Sequence, residues 1–231
     1  MKTLTTIRIY SLLIIGVIFM ATYGCEKKEN STIPITDIDG NVYHSVTIGN
    51  QTWMVENLKT TRYNDGSAIP LIADSAAWVN IIYSSTPGYC WYKNNAANYK
   101  NTYGAIYNWY AINTGKLAPI GWHIPSDAEW TTLTAFLGGD SLAGKKMKEA
   151  GTSHWKVFNT GDNISGFSAL PGGMRPYDGS FVGIGEIGYW WSVTAYDSGS
   201  AWVRNLDGGT TMVTRNNYGK TLGCSIRCIK D

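Results

Sequence analysis

Nucleophiles, metal sites and redox centres are built mostly from cysteine, histidine and clustered carboxylates. This chain of 231 residues has four cysteines and three histidines. The cysteines are Cys25, Cys90, Cys224 and Cys228, and the histidines His44, His123 and His154 are scattered. With no Cys-x-x-Cys pair and no zinc-like ligand spacing, no metal or other cofactor is expected. Gly183-Ile184-Gly185-Glu186-Ile187-Gly188 matches the dinucleotide fingerprint as letters. That chemistry needs a helix directly after the glycines, and the strand-like Tyr189-Trp190-Trp191-Ser192 follows instead. Asp37-Ile38-Asp39-Gly40-Asn41 is spaced like a calcium loop but lacks the later acidic ligand, so it reads as a turn. No Gly-x-Ser-x-Gly elbow, His-Glu-x-x-His or Walker loop occurs, and nothing nominates a catalytic carboxylate pair. The chain is read as a non-enzyme.

The conspicuous chemistry is aromatic. Ten Trp, fifteen Tyr and five Phe accompany only 16% charged residues, a composition that argues for a packed core and against disorder. Tyr89-Cys90-Trp91-Tyr92, Asn108-Trp109-Tyr110, Arg175-Pro176-Tyr177-Asp178 and Trp202-Val203-Arg204 set rings beside amides and charges. Such sites suit sugar rings, which offer apolar C–H faces and hydroxyls. Most of the rings must nonetheless be core, and alternation on a strand should turn one of Trp190 and Trp191 inward.

The first residues read as an address. Met1–Arg8 is short and basic, and Ile9–Ala21 is an apolar run short of the roughly 20 residues of a membrane span. It fits a secretory signal. Ala21-Thr22-Tyr23-Gly24-Cys25 then looks like a bacterial lipoprotein processing box, although Thr22 departs from the usual leucine. On that reading residues 1–24 are a signal peptide, Cys25 carries acyl chains that hold the protein to the outer membrane, and 25–34 is a lipidated tether. The alternatives are an ordinary cleaved signal with an incidental cysteine, or an uncleaved anchor. Loss of Lys2 and Arg8 leaves seventeen basic against seventeen acidic side chains, and a neutral chain without a basic stripe is not expected to bind nucleic acid.

Export implies an oxidising compartment and one disulfide. Residues four apart on a strand sit roughly 13 Å from each other, too far to bond, so Cys224 and Cys228 should not pair. Cys90–Cys228 is the first choice and Cys90–Cys224 the second.

The body, 35–231, reads as one α+β domain. Asp39-Gly40 and Gly49-Asn50 separate short apolar runs and predict hairpins. Tyr103, Ile106, Tyr107 and Tyr110 predict a helix within 102–112. Ser126-Asp127-Ala128-Glu129 is a capping box ahead of Trp130, Leu133 and Leu137, with Gly138-Gly139 as the stop. A short helix is expected over 141–150, with Lys145, Lys146 and Lys148 on its solvated face. Beyond Gly151 the spacing predicts strands divided by Gly, Pro, Asn and Asp.

Several blocks in order carry a family resemblance. These are Asp37–Tyr43, Ile48–Leu58, Tyr103-Gly104, Tyr107–Trp109, Gly121–Trp130, Gly166–Gly173, Trp190–Ser192 and Ser225–Cys228. Together they resemble the Fibrobacter succinogenes major paralogous domain over about residues 35–231. The family is typical of exported, often lipid-anchored proteins and has no established activity. Its pattern is similar to the C-type-lectin-like fold of the sulfatase-modifying-factor group, which implies irregular antiparallel sheets around one or two short helices and a loop-rich C-terminal half. One departure is Ala118, where the family usually has a cysteine.

The resemblance implies a surface-displayed module that binds a polysaccharide or a surface protein through its loops. On such a scaffold the expected ligand contacts are Tyr177, Asp178, Tyr196, Asp197, Trp202 and Arg204. A purely structural envelope role is the runner-up. A formylglycine-generating oxidase is the remote third, because Cys224 and Cys228 are one residue too close for the paired-cysteine copper site of that group.

Overall fold

Two tight hairpins open the described part of the chain. The structure, a computed structural model, describes residues 34–156 and 158–231, which form one compact unit from Pro34 to Asp231. The expected signal peptide and lipidated Cys25 lie outside the described residues. Strands β1 (Ile35–Thr36) and β2 (Val42–Tyr43) pair across the Asp39-Gly40 turn. Asp37 organises that turn: one carboxylate oxygen accepts from the Asp39 and Asn41 amides, and the other from the Asn41 side chain and the Tyr43 hydroxyl. Strands β3 (Ser45–Ile48) and β4 (Gln51–Met54) pair with Ile48 opposite Gln51. Only a two-residue turn fits there, and Gly49 supplies the left-handed backbone it needs, at φ 64°.

The middle of the chain holds the short helices α1 (Ser75–Val79) and α2 (Ile81–Ser84), strand β5 (Tyr89–Cys90), helix α3 (Ala96–Tyr103), strand β6 (Ile106–Asn108), helix α4 (Trp109–Ile112) and strand β7 (Trp122–His123). The single helix expected over 102–112 is therefore broken in two. Gly104, at φ 75°, ends α3, and the buried Ile106 and Tyr107 pair with β5 instead. Asn108 then restarts a helix, its side-chain oxygen accepting from the Ala111 amide. The tyrosine spacing imitates a helical period across Gly104, whose left-handed backbone ends the helix.

Helix α5 (Asp127–Phe136) begins at the expected capping box: Ser126 accepts from the Glu129 amide, and the Glu129 carboxylate accepts from Ser126. Helix α6 (Asp140–Met147) follows across Gly138-Gly139. Its lysines part company. Lys145 is exposed and Lys146 half-exposed, but Lys148, expected on the solvated face, is fully buried. The helix has ended there, and extended backbone at Lys148 turns the side chain inward.

The last third builds β8 (Gly172–Met174), β9 (Val182–Ile184), β10 (Ile187–Ala195), β11 (Ser200–Asp207), β12 (Val213–Gly219), β13 (Gly223–Cys224) and β14 (Ile229–Lys230). The Gly183–Gly188 stretch is the β9–β10 turn. A five-stranded sheet runs β12-β11-β10-β8-β9, a four-stranded one β3-β4-β14-β7, and a three-stranded one β13-β6-β5. The class is mixed α+β, with six short α-helices among the described residues where one or two were expected.

Adjacent residues of β10 enter different cores. Trp191 packs with Tyr107, Trp109, Val203, Cys224 and Cys228, while Trp190 packs with Trp53, Trp130, Trp155, Phe167 and Leu206. Both are buried, because the sheet is covered on both faces and alternation no longer separates inside from outside.

The expected Cys90–Cys228 bridge, and its Cys90–Cys224 alternative, are not formed: all three thiols are free and buried. Cys90 lies in a separate cluster with Trp78, Ile81, Tyr92 and Ile106, while Cys224 and Cys228 belong to the Trp191 core. Burial pushes the Cys90 thiol up to about 12 and raises the other two as well.

Candidate functional site

The β10–β11 turn is braced from two sides. Asp197 accepts on one carboxylate oxygen from the Gly199 amide (2.8 Å), the Ser200 amide (2.7 Å) and the Ser200 hydroxyl (2.8 Å). These bonds, Ser200's first, hold the carboxyl below its ordinary value. From beneath, the buried Lys220 ammonium donates to the carbonyls of Asp197 (2.9 Å) and Ser198 (3.0 Å) and sits over the Trp109 ring. The turn is thus fixed from inside and outside.

On this base stand Tyr196 and Trp202, edge to face, with ring centroids 4.8 Å apart. Eight of the ten tryptophans are buried; Trp202 and Trp122 are the two that reach solvent. Tyr196 is 53% exposed. The Arg215 guanidinium lies 3.4 Å from the Trp202 ring centroid and is itself anchored by three bonds to the Asp127 carboxylate at 2.8–3.1 Å. Two half-exposed rings, a stacked cation and a carboxylate-anchored frame form a preorganised corner, the kind of surface on which a flat, partly apolar ligand loses little binding free energy to reordering.

The structure assembles some of the expected site and disperses the rest. Tyr196, Asp197 and Trp202 come together, although Asp197 serves the turn itself. Arg204 is not a surface contact: it is 2% exposed and pairs with Asp127 at 2.6 Å. On β11 its alternation with Val203 points it to the core face beneath α5. Tyr177, 68% exposed, and Asp178 lie on the β8–β9 turn, where Asp178 accepts from the Ser180 amide and hydroxyl. That turn is anchored separately by buried Arg175, which donates to the carbonyls of Gly179, Ile72 and Ala73. Among the described residues no ring contact or hydrogen bond joins the two turns.

Sequence reasoning missed Arg215 and Lys220, which stand alone in polar segments with no local pattern to mark them. It also missed a hollow of about 200 Å³ lined by Ile112, Leu117, Ala118, Trp122, His123 and Val193. At its rim His123 sits between two carboxylates, Glu129 at 2.8 Å and Asp231 at 2.7 Å. The Glu129 role was legible as a cap, but Asp231 is brought in from far along the chain by β14.

The profile of the Fibrobacter succinogenes major domain (Fib_succ_major) matches residues 46–230. The chain belongs to this family. No curated protein and no solved structure matches the chain. Within the domain, four of the sequence blocks that carry the resemblance meet at one buried node. Arg227 donates to the Asn57 side-chain oxygen and to the carbonyls of Met54, Val55 and Phe167, and Trp190 donates to the same Asn57 oxygen at 2.8 Å. Burial pulls the Arg227 guanidinium down to about 9. Half of the quoted blocks thus converge on one folding node, while Tyr196, Trp202 and Arg215 lie within the matched domain but in none of the blocks.

Proposed function

We propose that this Fibrobacter succinogenes major domain protein is a non-catalytic binding module of the cell envelope, carried on a lectin-like scaffold and anchored to the outer membrane through a lipid on Cys25. It takes a glycan at the Tyr196–Trp202 corner. One observation carries the reading: in a chain that buries eight of its ten tryptophans, Trp202 is left at the surface beside a braced turn with a second half-exposed ring against it. Leaving large aromatic area in water forgoes about 25 cal/mol per Å² of burial, which a fold tolerates where the ring has another use.

The test is a glycan array probed with the chain from residue 31, alongside Trp202→Ala and Tyr196→Ala variants. Binding that survives in neither variant supports the reading. Silence across the array, or binding that ignores both substitutions, overturns it and leaves a structural envelope role.

A further inference from the structure

Each histidine of the chain faces a carboxylate, but they differ in one decisive respect. His44 meets Glu56 through Nδ1, and His154 meets Glu149 through Nδ1. His123 uses both ring nitrogens, Nδ1 to Asp231 at 2.7 Å and Nε2 to Glu129 at 2.8 Å. A carboxylate only accepts hydrogen bonds, and a neutral imidazole carries one N–H. Both contacts can be made only by the imidazolium. We propose that His123 is a proton-operated latch that ties the last strand of the domain to helix α5 and releases that strand when it loses its proton.

The geometry decides which contact gives way. The second oxygen of Glu129 is held by the Ser126 amide and hydroxyl, each at 2.7 Å, so the capping box keeps Glu129 facing Nε2. Asp231, with its side chain 60% exposed, has His123 as its side-chain partner and can turn to water. The neutral ring keeps its proton on Nε2 and presents a lone pair to Asp231. What loosens is the end of β14, where Lys230 pairs with Trp122, Ile229 pairs with His123 and the Asp231 amide donates to the Gly121 carbonyl. Trp122 and His123 line the hollow beside this strand, so the latch governs that wall.

The charged groups around the ring are consistent with this. Glu129 reaches it from α5 and Asp231 from behind β14, and Lys230 is the cation on the neighbouring strand; Asp127, also on α5, is taken by Arg204 and Arg215. Burial opposes protonation of His123, but the two carboxylates outweigh it and raise its affinity for the proton.

The test is a titration of the three histidine Cε1–H signals in the intact protein, with His123 assigned through His123→Gln, together with amide exchange at Asp231 and Ile229. His123 should titrate above the ordinary value of about 6.5, and protection of both amides, corrected for intrinsic exchange, should fall several-fold through the same transition. Asp231→Asn, whose amide can face either form of the ring, should keep the amides protected throughout and lower the His123 midpoint. Titration at or below the ordinary value, or C-terminal protection that does not follow the His123 midpoint, would overturn the latch.

Discussion

Arg204 and Asp127 form a 2.6 Å ion pair in which the guanidinium is 2% exposed, joining the centre of β11 to the first residue of α5. The same carboxylate anchors Arg215 from the surface side. One aspartate therefore fixes the helix start, neutralises a buried cation, and holds the arginine that stacks on Trp202. The proposed binding corner and the core beneath it share a single electrostatic pivot.

Asp127→Asn should accordingly destabilise the domain by about 3 kcal/mol in chemical denaturation, because it leaves Arg204 buried without a counter-charge. Burial pushes the Asp127 carboxyl up, but hydrogen bonds from Arg215 and Arg204 outweigh it and hold the group below its ordinary value. A depressed carboxyl contributes stability above its unfolded pKa of about 3.9 and loses it as pH falls through the lower folded value. Wild type should show this acid loss more steeply than Asp127→Asn. Equal stability of the two at neutral pH would refute the pivot.

Gly144 tests the packing of α6. Alanine inside a helix is normally worth about 1 kcal/mol over glycine. Here a Cβ would stand 2.3 Å from the Met212 carbonyl oxygen and 2.8 Å from that of Thr211, both backbone atoms that cannot swing aside. Gly144→Ala should therefore reverse the usual sign and cost about 2 kcal/mol. A raised melting temperature would show that α6 and the Thr211–Met212 turn are looser than described.

The parts legible in the sequence were those fixed by neighbours along the chain. Ser126 and Glu129 stated the start of α5, and Gly49-Asn50 stated a hairpin, because caps and two-residue turns are local devices. Tyr196 and Trp202 meet for a local reason too, since one short turn separates them in the chain. Arg204 was misread for a different reason. A charged residue beside an exposed-looking tryptophan reads as surface unless its partner is known, and Asp127 lies 77 positions away. Arg227 with Asn57 and His123 with Asp231 are of the same kind, since sheet topology alone supplies the partner.

Lys148 belongs with these long-range cases and yields a sharp prediction. Its ammonium donates to the Thr160 hydroxyl (2.9 Å) and to the carbonyls of Asp207 (2.7 Å), Gly208 (2.8 Å) and Thr210 (2.7 Å), with no carboxylate in contact. Burial pulls the amine down to about 8. Lys148→Met keeps the stem's bulk and removes the charged donor from three carbonyls of the β11–β12 turn, leaving Gly208 and Thr210 with only the Thr160 amide and hydroxyl. The expected cost is about 3 kcal/mol. Faster amide exchange should appear at Thr160 and Gly208, whose amides help close the same turn. A loss below about 0.5 kcal/mol, typical of a surface lysine, would return Lys148 to the solvated face of α6.

The cysteines decide whether this fold relies on a covalent staple. Cys90, Cys224 and Cys228 are buried thiols divided between two clusters, and burial disfavours the thiolate on which both disulfide exchange and alkylation depend. In the native protein all three should resist a thiol-alkylating reagent for as long as the fold holds. In denaturant without reductant all three should react, and reductant should leave the melting temperature unchanged. A denatured, unreduced sample in which two of the three stay blocked would show that a disulfide forms after all. The loss of the Cys90 cluster from the Trp191 core would then have to be redrawn, because a bridge needs the two Cα atoms within about 7 Å. Three reactive thiols would mean that packing alone, centred on Trp190, Trp191 and the Asn57–Arg227 node, holds the sheets together.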